Sequence, residues 1–165
     1  MKKIVITAER LALSRVKKEA RYGRDLRINV IHRTWGRDVA ATDIDFLEYS
    51  RGKSIAIIDM KESDYWRKKF KRGGWKSVNA YLDLAARAKL PFFIVEYDVQ
   101  THDHFKVVPM NVYARKFIKE DTVMNEQEYV CFQYKLRDPE NEYVLSEDAI
   151  AEMRQKREEL LRNFW

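Results

Sequence analysis

The chain has few of the features that mark secreted or membrane-spanning proteins. It contains a single cysteine, Cys131, which cannot form an internal disulfide, so its cysteine content does not suggest secretion. No apolar run approaches the roughly 20 residues that span a bilayer. The first residues meet the charges of Glu9 and Arg10 too early for the apolar core of a signal peptide. We therefore expect a cytoplasmic protein that is not embedded in a membrane.

Internal repeats and low-complexity tracts are also missing from the sequence. What remains is 165 residues with 45% hydrophobic and 13% aromatic content. That composition favours a folded chain over a disordered one, and the length suits one domain with a real core. We therefore predict a single domain over residues 1–165.

The stretch from Thr42 to Lys61, TDIDFLEYSRGKSIAIIDMK, has the pattern of a β-hairpin. Residues 43–49 and 53–61 form the two arms, which are rich in Ile, Phe and Tyr, as strands are. Between them, Ser50-Arg51-Gly52 suits a three-residue loop with two residues in the right-handed region and glycine in the left-handed one.

The length of this loop determines which acids share a face of the hairpin. With three loop residues, Asp45 would pair with Ile57 and would be a diagonal neighbour of Asp59, about 7–8 Å away. Asp43 and Lys61 would project from the same face, because side chains alternate along a strand. A two-residue loop would instead put Asp45 and Asp59 on opposite faces.

Two carboxylates at that separation repel each other and need protons or a cation. A small hard cation held between them is one interpretation of the pattern. The alternative is an ordinary solvated hairpin face. Apolar residues beside the acids, among them Ile44, Ile57 and Ile58, favour the first interpretation because they predict a partly buried position.

The segment Ile44-Asp45-Phe46-Leu47, a glycine turn and then Asp59-Met60-Lys61 resembles the PD-(D/E)xK nuclease superfamily, including its phage and junction-resolving endonucleases. Ile44 stands where the family often has proline. The resemblance implies an α/β fold with a restriction-endonuclease-like core. This core is a mixed central β-sheet flanked by α-helices, over about residues 8–98. Extra strands and a helix would follow in residues 99–165.

The resemblance also implies roles for individual residues. Asp45 and Asp59 would hold Mg²⁺, with Mn²⁺ as a substitute, and the backbone carbonyl of Met60 would assist. Lys61 would be catalytic, orienting or activating the attacking water. Asp43 could be an additional acid outside the metal's direct ligands.

A glutamate on a helix before the hairpin often completes the site in such enzymes. Thr7 is a plausible N-cap for a helix over Ala8–Tyr22. Glu9 and Glu19 are then the candidates, both at the edge of its apolar stripe, and Glu9 is preferred as the catalytic acid. An ordinary exposed helix carboxylate is the alternative for either.

Positive charge is concentrated directly after the hairpin. The formal net charge is +6, and the run Tyr65–Lys76, YWRKKFKRGGWK, holds six basic residues and no acid. Its cations could neutralise DNA phosphates and its aromatic rings could stack on bases. A solvated basic helix end with aromatics in the core is the competing interpretation. The candidate nucleic-acid-binding residues are Trp66, Arg67, Lys68, Lys69, Lys71, Arg72, Trp75 and Lys76.

The rest of the chain shows an alternation of helical and strand patterns. Glu96 and Asp98 are expected at a solvent-exposed strand edge. The predicted elements are a helix over Val78–Lys89 capped by Ser77, a strand over Pro91–Tyr97, a strand over Phe105–Met110, a short helix over Asn111–Ile118, a strand over Tyr129–Leu136 and a helix over Glu147–Asn163 capped by Ser146.

The sequence thus predicts a Mg²⁺-dependent DNA endonuclease that hydrolyses phosphodiester bonds. No base-reading motif is visible, which favours selection of branched or junction DNA by shape, and a phage-type origin fits. A homodimer would suit symmetric junction cutting. The alternative function is an inactive nuclease-fold protein that binds nucleic acid or inhibits a nucleic-acid enzyme.

Overall fold

The computed structural model describes residues 2–12, 44–62, 76–98 and 103–164. Within these ranges the fold is mixed α/β, as the sequence predicts. The elements in chain order are β1 (Lys2–Ile6), α1 (Ala8–Ala12), β2 (Phe46–Ser50), β3 (Lys53–Glu62), α2 (Lys76–Ala88), β4 (Phe92–Tyr97), β5 (His104–Pro109), a 3-10 turn (Ala114–Lys116), β6 (Thr122–Asn125), α3 (Glu126–Arg137), β7 (Asn141–Leu145) and α4 (Glu147–Phe164).

A mixed five-stranded sheet in the order β2-β3-β4-β5-β6 forms the centre of the described structure. The hairpin β2–β3 is antiparallel, whereas β3 and β4 run parallel, so a crossover containing α2 connects them. The remaining pairs, β4–β5 and β5–β6, are antiparallel. The succession strand, strand, helix, strand over β2, β3, α2 and β4 is the one expected from the sequence.

Each face of this sheet packs against a helix. On one face, α2 contributes Val78, Tyr81 and Ala85 to a core with Ile57 and Ile94. On the other face, α3 contributes Phe132 and Leu136, which pack with residues of β3, β4 and β5. Because both faces are covered, β4 is apolar along nearly its whole length, as strands buried on both sides are.

The turn of the hairpin differs from the predicted three-residue loop. Ser50 pairs with Lys53, so only Arg51 and Gly52 lie in the turn. Both have positive φ, 50° for Arg51 and 76° for Gly52. Positive φ at both central residues is typical of a type I′ turn, whose twist matches that of the flanking strands. That match is the physical reason for the shorter loop.

A β-bulge then corrects the consequence of the shorter turn. Tyr49 pairs with Ser54 but Glu48 pairs with Ala56, so Ile55 is an extra residue on β3. Beyond the bulge Phe46 pairs with Ile58, a shift of two residues from the predicted register. Continued by one residue, this register puts Asp45 opposite Asp59 rather than Ile57. The one-residue offset of the turn and that of the bulge together keep both acids on one face.

Residues 129–136 are helical, and the predicted strand there is wrong. They belong to α3, whose start is fixed by a capping box. Glu128 N donates to Asn125 Oδ1 at 3.0 Å, and Asn125 N donates to Glu128 Oε2 at 2.8 Å. Only Phe132 and Leu136 of α3 are buried, four residues apart as on a helix face. The alternation of polar and apolar residues that suggests a strand is short, and the cap outweighs it.

Loss of this cap gives a test of the helix assignment. Asn125→Ala is expected to lower the free energy of unfolding by about 1 kcal/mol, because the first turn of α3 loses an acceptor for its backbone N–H groups. Urea denaturation followed by circular dichroism would measure the change. Gln127→Ala in the same turn is the control and should change stability by less than about 0.5 kcal/mol. Equal effects of the two substitutions would contradict the cap.

The first strand, β1, pairs with β7 in a second, two-stranded parallel sheet, which the sequence does not predict. Ser146 links the two strands and α4: its hydroxyl donates to the Ile6 carbonyl at 3.0 Å, and Ala149 N donates to Ser146 Oγ at 3.4 Å. The predicted cap of α4 is therefore confirmed. Ser77 is not a cap, because α2 already begins at Lys76.

Of the predicted amino-terminal helix, only Ala8–Ala12 lies in the described part of the chain. The described helices include none with both the length and the apolar composition needed to cross a bilayer.

Candidate metal centre

Three charged side chains meet where β2 begins and β3 ends. The Lys61 ammonium contacts Asp59 Oδ1 directly and lies 3.7 Å from Asp45 Oδ2. Asp45 is further held by the backbone, since Met60 N donates to Asp45 Oδ2 at 2.9 Å. The structure therefore brings Asp45, Asp59 and Lys61 together, as the hairpin pattern predicts.

Burial differs sharply among these three groups. The side chain of Asp59 is 2% exposed, that of Lys61 19% and that of Asp45 37%. Asp59 is deeply buried because β3 lies between β2 and β4. In addition, the Asp59 side chain projects from the face of the sheet that α2 covers. Asp45 lies just before the edge strand and stays accessible. The site thus opens toward solvent on its Asp45 side.

Burial also perturbs the protonation of Asp59. Loss of hydration raises its pKa from 3.8 to about 6, against the opposing hydrogen bond and charge of Lys61. The neighbouring carboxylate of Asp45 raises it further. Near neutral pH the site therefore holds a carboxylate that is costly to keep charged and that gains from an added cation.

One oxygen of Asp59 is available as a ligand. Asp59 Oδ2 is buried and has no hydrogen-bond partner among the residues described. An orphaned anionic oxygen beside a second carboxylate suits a hard divalent ion. Mg²⁺ typically uses one or two protein carboxylates and fills its other positions with water and substrate phosphate. Asp45 and Asp59 therefore fit Mg²⁺, and Mn²⁺ as its substitute.

Met60 contributes its backbone to the same point of the hairpin. Its amide N–H orients Asp45, while its side chain turns to the opposite face and packs near Tyr129. The ligand role for its carbonyl stays a prediction.

The structure does not place Glu9 with Asp45, Asp59 and Lys61. It lies exposed on α1, which packs against α4. In the described ranges, no cluster of three His, Cys, Asp or Glu side chains is arranged to hold one metal ion. The carboxylates that meet are therefore a pair. The alternative helix acid Glu19 and the additional acid Asp43 lie outside the described residues.

The basic run is also largely outside the described residues. Of its predicted DNA-binding residues only Lys76 is inside, as the first residue of α2. The run begins three positions beyond Glu62, the end of β3, so it follows Lys61 closely in sequence. The prediction that it contacts DNA stays a prediction.

Glu96 is a charged residue of this region that the sequence prediction misplaced. It is 3% exposed rather than at a solvent edge, because β4 is an inner strand with β3 and β5 on its two sides. Its position in the run Phe92–Tyr97, where nearly every neighbour is apolar, was the signal that it would be buried. The Lys106 ammonium is a cationic neighbour of this carboxylate, with its Nζ 3.6 Å from Glu96 Oε1.

Two surface cavities within the described ranges are lined by residues other than Asp45 and Asp59. One of about 490 Å³ is lined by Pro109, Arg115, Lys119, Glu120 and Asp121. A second, of about 350 Å³, lies between the starts of β5 and α3 and the helix α4.

Comparisons of the chain with protein-family models, with characterised proteins and with solved structures gave no match. The interpretation of the centre formed by Asp45, Asp59 and Lys61 therefore depends on its own geometry and chemistry.

Proposed function

We propose that this chain is a Mg²⁺-dependent endonuclease that hydrolyses phosphodiester bonds in DNA. The observation that carries the proposal is the meeting of Asp45, Asp59 and Lys61, with an orphaned buried oxygen on Asp59. Two acids that could hold a divalent ion, with a lysine beside them, suit metal-assisted phosphate chemistry. A stable hairpin has no need for an unpartnered buried carboxylate oxygen, because such a group opposes folding.

The roles of the three side chains follow from their burial and partners. Mg²⁺ held by this pair would polarise the phosphate and lower the pKa of a bound water. Asp59, fixed on an inner strand, is the rigid ligand, and Asp45, oriented by the Met60 N–H, faces the accessible side. Lys61 supplies positive charge at the same point, where it would steady the phosphate oxygens or orient the water.

The charge distribution supports DNA as the substrate. The run Tyr65–Lys76 follows β3 directly and carries six basic residues without an acid. Phosphate contacts of this kind position a duplex without reading its sequence. We therefore propose preference for the shape of branched or junction DNA. A homodimer would place two such sites for symmetric cutting.

Incubation of the protein with supercoiled plasmid and with a four-way junction tests the activity. With Mg²⁺ we expect nicking of the plasmid and faster cutting of the junction, and with EDTA we expect neither. Linear duplex of the same sequence as the junction arms is the control for shape selection. Equal cutting of junction and linear duplex would contradict the junction preference, and no cutting in Mg²⁺ or Mn²⁺ would contradict catalysis.

One feature of the site favours a second candidate, a DNA-binding protein without catalysis. The Lys61 ammonium already contacts Asp59 and approaches Asp45, so the three charges partly neutralise one another without a metal. Such a protein would bind the junction equally well in Mg²⁺ and in EDTA and would cut neither substrate. Gel-shift and cleavage assays on the same samples separate the two candidates.

A further inference from the structure

The carboxylate of Glu96 is a buried charge that the proposed reaction does not use. Glu96 is 3% exposed on the inner strand β4. Its Oε1 atom has no hydrogen-bond partner in the part of the chain that the structure describes, and the Lys106 ammonium lies 3.6 Å from this oxygen, beyond hydrogen-bond distance. An apolar residue could fill this position without the penalty of burying a charge. The carboxylate therefore calls for an explanation from the groups around it.

Glu96 has a lysine at the paired position on each neighbouring strand. Its Cα partners are Lys61 on β3 and Lys106 on β5, so all three side chains leave the same face of the sheet. Lys106 is shared between two acids, because its Nζ lies near Glu96 Oε1 and also 3.2 Å from Asp121 Oδ2. Its side chain is 31% exposed. Neighbouring strands are about 4.8 Å apart. The flexible four-carbon stem of Lys61 is long enough to span that distance.

Binding of a divalent cation at Asp45 and Asp59 would give the Lys61 ammonium a use for a neighbouring carboxylate such as Glu96. The Lys61 ammonium contacts Asp59 Oδ1, and a divalent ion on Asp45 and Asp59 would compete with it for the same carboxylate. Only 19% of the Lys61 side chain is exposed, so an ammonium moved away from Asp59 would gain from another anionic acceptor nearby. Glu96 has an oxygen of this kind at the register position beside it.

We propose, on the assumption that the proposed nuclease function is correct, that Glu96 is a positioning residue that accepts the Lys61 ammonium when a divalent cation binds. Lys61 would alternate between Asp59 in the metal-free protein and Glu96 in the metal-bound protein. Glu96 would thereby lower the cost of metal binding and hold the lysine beside the metal. It acts through Lys61 and need not touch the metal or the substrate.

A double-mutant cycle on metal affinity tests this without any cleavage assay. Isothermal titration calorimetry with Mn²⁺ and no DNA would compare the full chain, Glu96→Gln, Lys61→Met and the double variant. We expect Glu96→Gln alone to weaken Mn²⁺ binding by about tenfold, as loss of a supporting partner does. In the Lys61→Met background the same substitution should change the affinity by less than about twofold, because no ammonium needs to be accepted.

The outcomes separate this inference from the function it depends on. An equal loss in both backgrounds would mean that Glu96 acts by its charge alone, which overturns the positioning role. Mn²⁺ binding that Glu96→Gln leaves unchanged also overturns it, while the metal centre stands. No Mn²⁺ binding by the unaltered chain would overturn both. If Glu96→Gln does not fold, Glu96→Asp, which keeps the charge but shortens its reach, enters the same cycle with the same expected pattern.

Discussion

Replacing Asp59 with asparagine is expected to lower the rate of Mg²⁺-dependent plasmid nicking by at least about a hundredfold. Loss of a group that only supports a metal ligand costs about 10- to 100-fold, and Asp59 is proposed as a ligand itself. Asparagine keeps the shape and removes the charge, so the inner strand should remain packed. Rates of conversion of supercoiled to relaxed plasmid, at several Mg²⁺ concentrations, provide the measurement.

The matched control is Asp83→Asn, the same chemical change on the exposed surface of α2. Asp83 is 61% exposed and pairs with Arg87 four residues later, an exposed pair worth less than about 1 kcal/mol. It should leave nicking unaltered. Wild-type rates for Asp59→Asn, in protein shown to be folded, would remove the metal centre from the proposed mechanism. A gel-shift assay would show whether DNA binding persists in the slow variant.

The second large effect concerns stability and pH. Burial raises the pKa of Asp59 from 3.8 to about 6, so the folded protein holds this proton more tightly than the unfolded chain does. The resulting stabilisation is complete below pH 3.8 and is lost as pH rises through about 6. At 1.36 kcal/mol per pH unit, the loss is about 3 kcal/mol. Above pH 6 the ionised Asp59 therefore opposes folding in the absence of metal.

Urea denaturation of the wild type and Asp59→Asn between pH 4 and pH 8, in EDTA, would measure this. The stability of Asp59→Asn relative to the wild type should rise by about 2–3 kcal/mol across that range. Taking the difference cancels the acids whose pKa is lowered, such as Asp138 and Asp148. A difference that stays flat with pH would show that Asp59 is not buried as described. Added Mg²⁺ should restore wild-type stability at pH 8 and leave Asp59→Asn unchanged.

The sequence pattern predicts the correct face of the hairpin for Asp45 and Asp59, although it predicts the wrong strand register. Period-two alternation and the glycine turn correctly predict a hairpin with Asp45 and Asp59 on one side. The predicted register fails because the turn is shorter and Ile55 forms a bulge. A β-bulge depends on the twist and packing of the sheet. No residue pattern in Lys53–Glu62 predicts one at Ile55.

Elsewhere the sequence was least informative where short patterns compete. Residues 129–136 alternate as a strand does, yet the capping interaction of Asn125 with Glu128 and the packing of Phe132 make them helical. Pairing of β1 with β7 joins residues about 140 positions apart, and periodicity carries no information about such partners. For Glu96 the apolar run around it indicated burial, but its neighbours depend on the strand order, since β4 lies between β3 and β5 in a sheet covered by helices on both faces.

The amino-acid sequence by itself determined the α/β class, the hairpin, the candidate acids with their lysine and the concentration of basic residues after them. These depend on periodicity, turn residues and charge, which act over a few neighbouring positions. The tertiary structure decided the register, the burial of Asp59 and the placement of Glu96 beside Lys61. Those depend on which strands become neighbours and which faces lose their water, and packing between distant segments sets both.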